Sequence, residues 1–241
     1  MELPLKPRAP IQDLIRQGDL LALLKKAGEF HGHFCPYVAL GVRAGYLALK
    51  ALGIEQNLGM EEVIAIVETN NCFSDGIQVV TGCTFANNAL IYRDLGKTAV
   101  TVTRRDGTAV RVAVRAEYNE TFDARYPEAA ALFDKIVKER QQPTAEEQAE
   151  LSRLWAETSY AQLSVPQEEL FTVAQFKIQV PAYAPILASV TCAVCGEKVM
   201  ETRARVRGGQ PICISCAGAP YAQLDGAGIA VQKLGPADPE S

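Results

Sequence analysis

The sequence predicts an α+β chain ending in a small zinc-stapled module. Three observations carry this. Helix-period apolar stretches occupy residues 11–28 and 36–52, residues 98–116 read as a β-hairpin, and two C-x-x-C pairs stand at 192–195 and 213–216. The expected domains are a core, 1–185, and a finger with its tail, 186–241.

In the first helical stretch Ile11, Leu14 and Ile15 are followed by Leu20, Leu21, Leu23 and Leu24, with Gly18-Asp19 as break and re-cap and Gly28 as the expected end. Pro36 opens the next helix, since proline is favoured at the first helical position. Gly41, Ala44, Gly45 and Ala48 line one face of it, which suits a close backbone approach. Val63-Ile64-Ala65-Ile66-Val67 reads as a buried strand running into the polar loop 68–76. Residues 77–80 and 86–92 read as helical, broken by Thr81-Gly82-Cys83-Thr84. Strands over 98–105 and 109–116 flank Asp106-Gly107, a strong hairpin signal. Residues 127–142 read as helix, and Thr144 with Glu147 forms a capping box for a second helix ending near 160, both with solvated charged faces. Residues 170–180 read as strand or extended connector, and Pro181 and Pro185 mark a boundary.

The chemistry concentrates in His31-Gly32-His33-Phe34-Cys35-Pro36, which holds both histidines of the chain and one of its seven cysteines. In an extended segment His31, His33 and Cys35 face one point. Cys35 falls at the cap of the following helix, where the positive end of the dipole favours a thiolate. The loop reads as a metal or nucleophile site, with incidental histidines beside a buried thiol as the plain alternative. Cys72 and Cys83 are the other thiols outside the finger. The expected core metal ligands are His31, His33 and Cys72, with Cys35 and Cys83 nearby as alternative ligands or reactive thiols. Such a mixed set suits zinc or iron. Cys35, Cys72 and Asp75 are the candidate catalytic groups, and Gln78, Cys83 and Asn88 the candidate ligand-binding groups. Asp75 is either a partner that orients a histidine or the cap of the helix at Ile77. Cys192, Cys195, Cys213 and Cys216, with seventeen residues between the pairs, read as a structural zinc-ribbon or treble-clef site. A hairpin turning at Gly208-Gly209 and a short helix over 217–224 complete that module.

A net charge of −4 gives no general attraction to nucleic acid, although Arg203, Arg205 and Arg207 form a small basic strip. Apolar content of 48% is that of a globular protein, and no run approaches the roughly 20 apolar residues of a membrane span. The proline-rich start lacks the apolar stretch of a signal peptide, and an odd cysteine count argues for reduced thiols in the cytoplasm.

HGHFCP, Asp75-Gly76-Ile77-Gln78 after Cys72, Thr81-Gly82-Cys83-Thr84, Asp94-Leu95-Gly96-Lys97 and the final CxxCGE…CxxC together resemble the FmdE family of formylmethanofuran dehydrogenase proteins. The resemblance implies a mixed sheet flanked by helices, an appended treble-clef finger, a His/Cys core metal site and a homodimer. It also implies a setting beside molybdenum or tungsten oxidoreductases. One departure is that Phe85-Ala86-Asn87-Asn88 stands where a Gly-Lys pair is expected. The leading expectation is a metal-binding accessory protein of such an oxidoreductase or its cofactor. An independent metalloenzyme acting on a small molecule in the core cleft, and a thiol-based redox or regulatory protein, are the alternatives.

Overall fold

Strand β1 (Val63–Val67) is buried along its whole length at the heart of the computed structural model, which describes residues 5–233. A continuous β-branched run has no polar face to expose, so it is covered on both sides. It pairs in parallel with β2 (Leu90–Tyr92) and antiparallel with β3 (Ala99–Arg104). β4 (Thr108–Val114) and β5 (Phe171–Lys177) complete a mixed sheet of order β2-β1-β3-β4-β5. The Asp106-Gly107 turn joins β3 to β4.

The helices of this unit are α1 (Ala9–Gln17), α2 (Leu20–His31), α3 (Pro36–Ala51), α4 (Phe73–Thr81), α5 (Ala116–Arg125), α6 (Pro127–Phe133), α7 (Ala145–Gln162) and the single turn α8 (Gln167–Leu170). α3 packs on α2, α4 and α7 and on the sheet at β3 and β4. Phe73 and Ile77 of α4 are fully buried against it. Burial of side chains of that size stabilises by about 1.5–3 kcal/mol each.

The backbones of α3 and α4 touch. A Cβ on Gly41 would lie 2.1 Å from the Phe73 carbonyl oxygen, and one on Gly76 would lie 2.5 Å from that of Val38. The close backbone approach expected of the small-residue face of α3 is thus made inside the chain, to α4. Its consequence is local: the N-termini of α3 and α4, which carry Cys35 and Cys72, are drawn together.

Three helix expectations in this unit need correction. Helix α2 does not end at Gly28 but runs on to His31, because the Phe34 ring folds back over Gly28. Residues 86–92 are a turn followed by β2, not a helix. The Asn87 side chain accepts from the Thr84 and Ala89 N–H groups, and pairing with β1 then overrides helical periodicity. The stretch 127–142 is broken, with α6 passing into a π turn, Asp134–Lys138, before a left-handed Arg140. The Thr144–Glu147 capping box is present at the start of α7.

The chain divides into two compact units, Met1–Ala182 and Tyr183–Ser241. Among its described residues the second holds three hairpins: β6 (Ser189–Thr191) with β7 (Lys198–Met200), β8 (Ala204–Arg207) with β9 (Gln210–Cys213), and β10 (Tyr221–Asp225) with β11 (Gly228–Gln232). Its helix α9 (Ile214–Ala217) is one turn only, and residues 221–224, expected as helix, belong to β10. Gly218 ends α9 in a left-handed conformation. Among the described residues, no helix is long and apolar enough to cross a membrane.

Candidate functional site

His31 is the last residue of α2, so the histidine loop is not the extended strand expected from alternation. Gly32 follows with φ 93°, a conformation that favours glycine, and turns the chain so that His33 returns beside His31. The two imidazole centroids lie 4.4 Å apart. Cys35 then caps α3, and Cys72 precedes the first turn of α4. One ligand atom from each of His31, His33, Cys35 and Cys72 falls within 4.8 Å of all the others.

The first histidine is braced. Asp75 Oδ2 accepts from His31 Nδ1 at 2.7 Å, and Gln78 Nε2 donates to Asp75 Oδ1 at 2.9 Å. This fixes the imidazole so that Nε2 is the nitrogen left for a ligand, and that atom is buried with no hydrogen-bond partner. A histidine held by a carboxylate on one nitrogen and bare on the other is the common arrangement at metal sites. The donor set and the orphaned nitrogen therefore fit a metal ion. Asp75 backs His31 and does not cap the helix, which begins at Phe73.

Charge is distributed differently from the expectation at Cys35. Its hydrogen bond with Cys72, then burial, push the Cys35 thiol well up. Cys72 is lowered to about 6, first by that hydrogen bond and further by neighbouring His31, against the effect of burial. Two adjacent thiols cannot both ionise cheaply, and the one beside the imidazole keeps the charge. Burial, then His31, lowers His33, which favours the neutral imidazole that ligates metals.

Cys83 and Asn88 are not brought to this cluster. Cys83 is fully buried, donates to the Val63 carbonyl at 3.4 Å, and burial raises it to about 11. Asn88 holds a left-handed turn position, φ 60°, ahead of β2, where asparagine is readily accommodated. Gln78 acts through Asp75.

Sequence reasoning missed the outer wall. Cys35 and Cys72 open onto a cavity of about 450 Å³ whose far side is built by α5, α6 and α7. Tyr118, Phe122, Phe133 and Trp155 give it aromatic walls, with Asn71 and Asp123 among its polar groups. Trp155 stacks on His33 at 5.4 Å and so joins cavity to cluster. The one available signal was the only tryptophan of the chain, set in an otherwise charged helix. Tyr37 also lines the cavity. Burial, then Asp123, pushes its phenol up, so it stays a hydrogen-bond donor.

In the finger, the ligand atoms of Cys192, Cys195, Cys213 and Cys216 also lie within 4.8 Å of one another. The Val194 and Cys213 N–H groups donate to Cys192 sulfur at 3.5 and 3.3 Å. The Cys216 N–H donates to Cys213 sulfur at 3.3 Å. Backbone donors, Cys195 first and then Cys213, lower Cys192 to about 6, the thiolate form a metal needs.

Residues 185–222 match the family described as prokaryotic dksA/traR C4-type zinc finger. With four converging thiols, this marks a structural metal site of the zinc type. The chain is 45% identical over 217 residues to an Archaeoglobus fulgidus protein described as "Probable S-adenosyl-L-methionine-binding protein". That match covers 88% of this chain and 57% of the relative's length. A crystal structure of a tungsten formylmethanofuran dehydrogenase FmdE-like protein from Syntrophus aciditrophicus superposes with a TM-score of 0.55 at 25% identity, covering 83% of this chain and 92% of the other. Residues 30–172, which hold both the His/Cys cluster and the cavity walls, match the family described as FmdE, molybdenum formylmethanofuran dehydrogenase operon, and the chain belongs to that family.

Proposed function

We propose that this protein is a metal-binding accessory protein whose core ion sits at the edge of a small-molecule cavity. The observation that supports this is the four-donor cluster with His31 Nε2 bare and Nδ1 held by Asp75. His31, His33 and Cys72 are the ligands, with Cys35 as the fourth donor, and zinc or iron is the ion that two imidazoles and two thiols favour. Bound there, the ion would supply Lewis acidity toward the cavity. The protein's own groups orient His31, keep a phenol donor at Tyr37 and surround a ligand with aromatic rings.

Family membership supports the accessory role, and the partner in this reading is a molybdenum or tungsten oxidoreductase or its cofactor. A cytoplasmic location and a homodimer belong to the same reading. The dimer needs a surface other than the small-residue face of α3. Metal content separates this reading from a merely structural loop. His33→Ala is expected to lower core metal occupancy at least tenfold while the finger keeps its zinc, read by elemental analysis of purified protein. Equal metal content in the variant would overturn the assignment. Co-purification of the tagged protein with a large oxidoreductase, and light scattering, test the partner and the dimer.

A second reading carries the A. fulgidus description over to this chain, with S-adenosyl-L-methionine as the occupant of the cavity. The aromatic lining favours it, because ring faces attract a sulfonium. Calorimetric titration with that compound decides it.

A further inference from the structure

Deep in the cavity wall, at the end of α7, lies a polar group that neither the fold nor the metal cluster uses. Gln162 has no exposed surface, and both its Oε1 and its Nε2 lack hydrogen-bond partners. The hydroxyl of Tyr118 is likewise buried and unpartnered. The two side chains are neighbours, but not in hydrogen-bonding geometry. Both residues line the cavity. Buried amides are nearly always paired, because leaving donor and acceptor dry is unfavourable. A ligand that supplies the missing partners recovers that free energy on binding.

The backbone around Gln162 is fixed. Arg43 donates to the carbonyls of Gln162 and Val165, the latter at 2.6 Å, and pins the end of α7. A carboxamide held this way presents one acceptor beside one donor, the pattern that reads a neighbouring donor and acceptor on a planar ring. The surrounding walls are the faces and edges of Phe122, Phe133 and Trp155, which suit a flat ring. These polar atoms have no surface open to the cavity as it stands, so a ligand reaches them only when α5, which buries only Tyr118 and is weakly held, yields.

The geometry points to a planar nitrogen heterocycle with an amidine or lactam edge as the cavity ligand. Gln162 pairs with that edge, the Tyr118 hydroxyl adds a third contact, and the aromatic walls stack on the ring. The assignment rests on the reading of the cavity as a small-molecule site, not on the metal. An adenine-type ring presents the amidine edge, and a guanine-type or isoalloxazine ring the lactam edge.

Trp155 is the only tryptophan, so its fluorescence reports occupancy directly. Full-length protein is titrated with adenosine, guanosine and riboflavin, and with indole as a ring lacking such an edge. Saturable quenching by at least one of the three, at least tenfold tighter than by indole, is the expected result. Gln162→Leu removes both unpaired atoms. It should weaken that ligand at least tenfold, leave indole unchanged, and keep or raise the melting temperature. Tyr118→Phe should weaken it several-fold with the fold intact. Chelator-treated protein should bind the ligand as before, so failure of the metal reading and failure of this one are separable. The assignment is overturned if none of the three heterocycles saturates the signal. It is equally overturned if Gln162→Leu binds like the parent, or if Gln162→Leu lowers the melting temperature by more than about 5 °C, because the amide would then be structural.

Discussion

The finger draws its four thiols from two C-x-x-C pairs seventeen residues apart. Three backbone N–H groups of the same stretch point at its sulfurs. The core draws three of its four donors from the ends of three helices and the fourth, His33, from the loop between two of them. His31 closes α2, Cys35 caps α3, and Cys72 precedes α4 after thirty-six intervening residues. In both clusters the ligand atoms lie within 4.8 Å of one another. They differ in what surrounds them. In the finger, local backbone N–H groups reach the Cys192 and Cys213 sulfurs, and four thiolates suffice to close a tetrahedral coordination sphere. The core mixes nitrogen with sulfur, braces His31 through Asp75, and faces a cavity. A site that only staples a fold can be written into one short segment. A site that presents an ion to a ligand needs walls, and walls come from elsewhere in the chain.

The strongest test of that contrast is Cys213→Ser. A finger this small depends on its metal, and zinc binding to such peptides is worth about 10–16 kcal/mol at neutral pH. Residues 185–222 should lose zinc and unfold, seen as one metal fewer per chain and rapid proteolysis there, while the core melts as before. A finger still folded after chelation would remove its structural role.

Gly76→Ala attacks the core through packing. The added Cβ would stand 2.5 Å from the Val38 oxygen, a backbone atom that cannot step aside. The expected loss is about 1–3 kcal/mol in denaturant unfolding of the core, accompanied by loss of core metal and retention of finger zinc. An unchanged midpoint would mean that the α3–α4 crossing does not set the Cys35–Cys72 separation.

Asp75→Asn is milder, because it leaves all four donors in place. Loss of the carboxylate behind His31 should weaken core metal binding about 10- to 100-fold in a competitive chelator titration, with finger affinity unchanged. Equal affinities would reduce Asp75 to a local hydrogen-bond acceptor. The smallest effect is expected at Cys83→Ala, about 1 kcal/mol of core stability from lost packing and no change in metal content. Loss of an ion there would bring Cys83 back into the ligand set.

Much of the local structure was readable from the chain. The buried run 63–67, the Asp106-Gly107 turn, the Thr144–Glu147 box and the two C-x-x-C pairs each specify themselves through neighbours a few residues away. The errors fell where a distant contact outweighed a local preference. Phe34 keeps Gly28 helical, and β1 recruits Leu90–Tyr92 out of a helical pattern. The ionised thiol was expected at the helix cap, Cys35, because the dipole is a local argument. The structure puts it on Cys72, because the decisive neighbours, Cys35 and His31, lie on other segments.

By itself the sequence determined that both histidines share one loop with a thiol, that four cysteines make a finger, and that helices and strands mix in the core. These are matters of spacing and periodicity, which act over a few residues. Only the tertiary structure decided that Cys72 joins the histidines while Cys83 does not, that Asp75 braces His31, and that Trp155, Tyr118 and Gln162 wall a cavity. Those facts depend on where whole helices cross. The crossing is set by the contact of Gly41 and Gly76 between α3 and α4, a surface that exists only once the chain has folded.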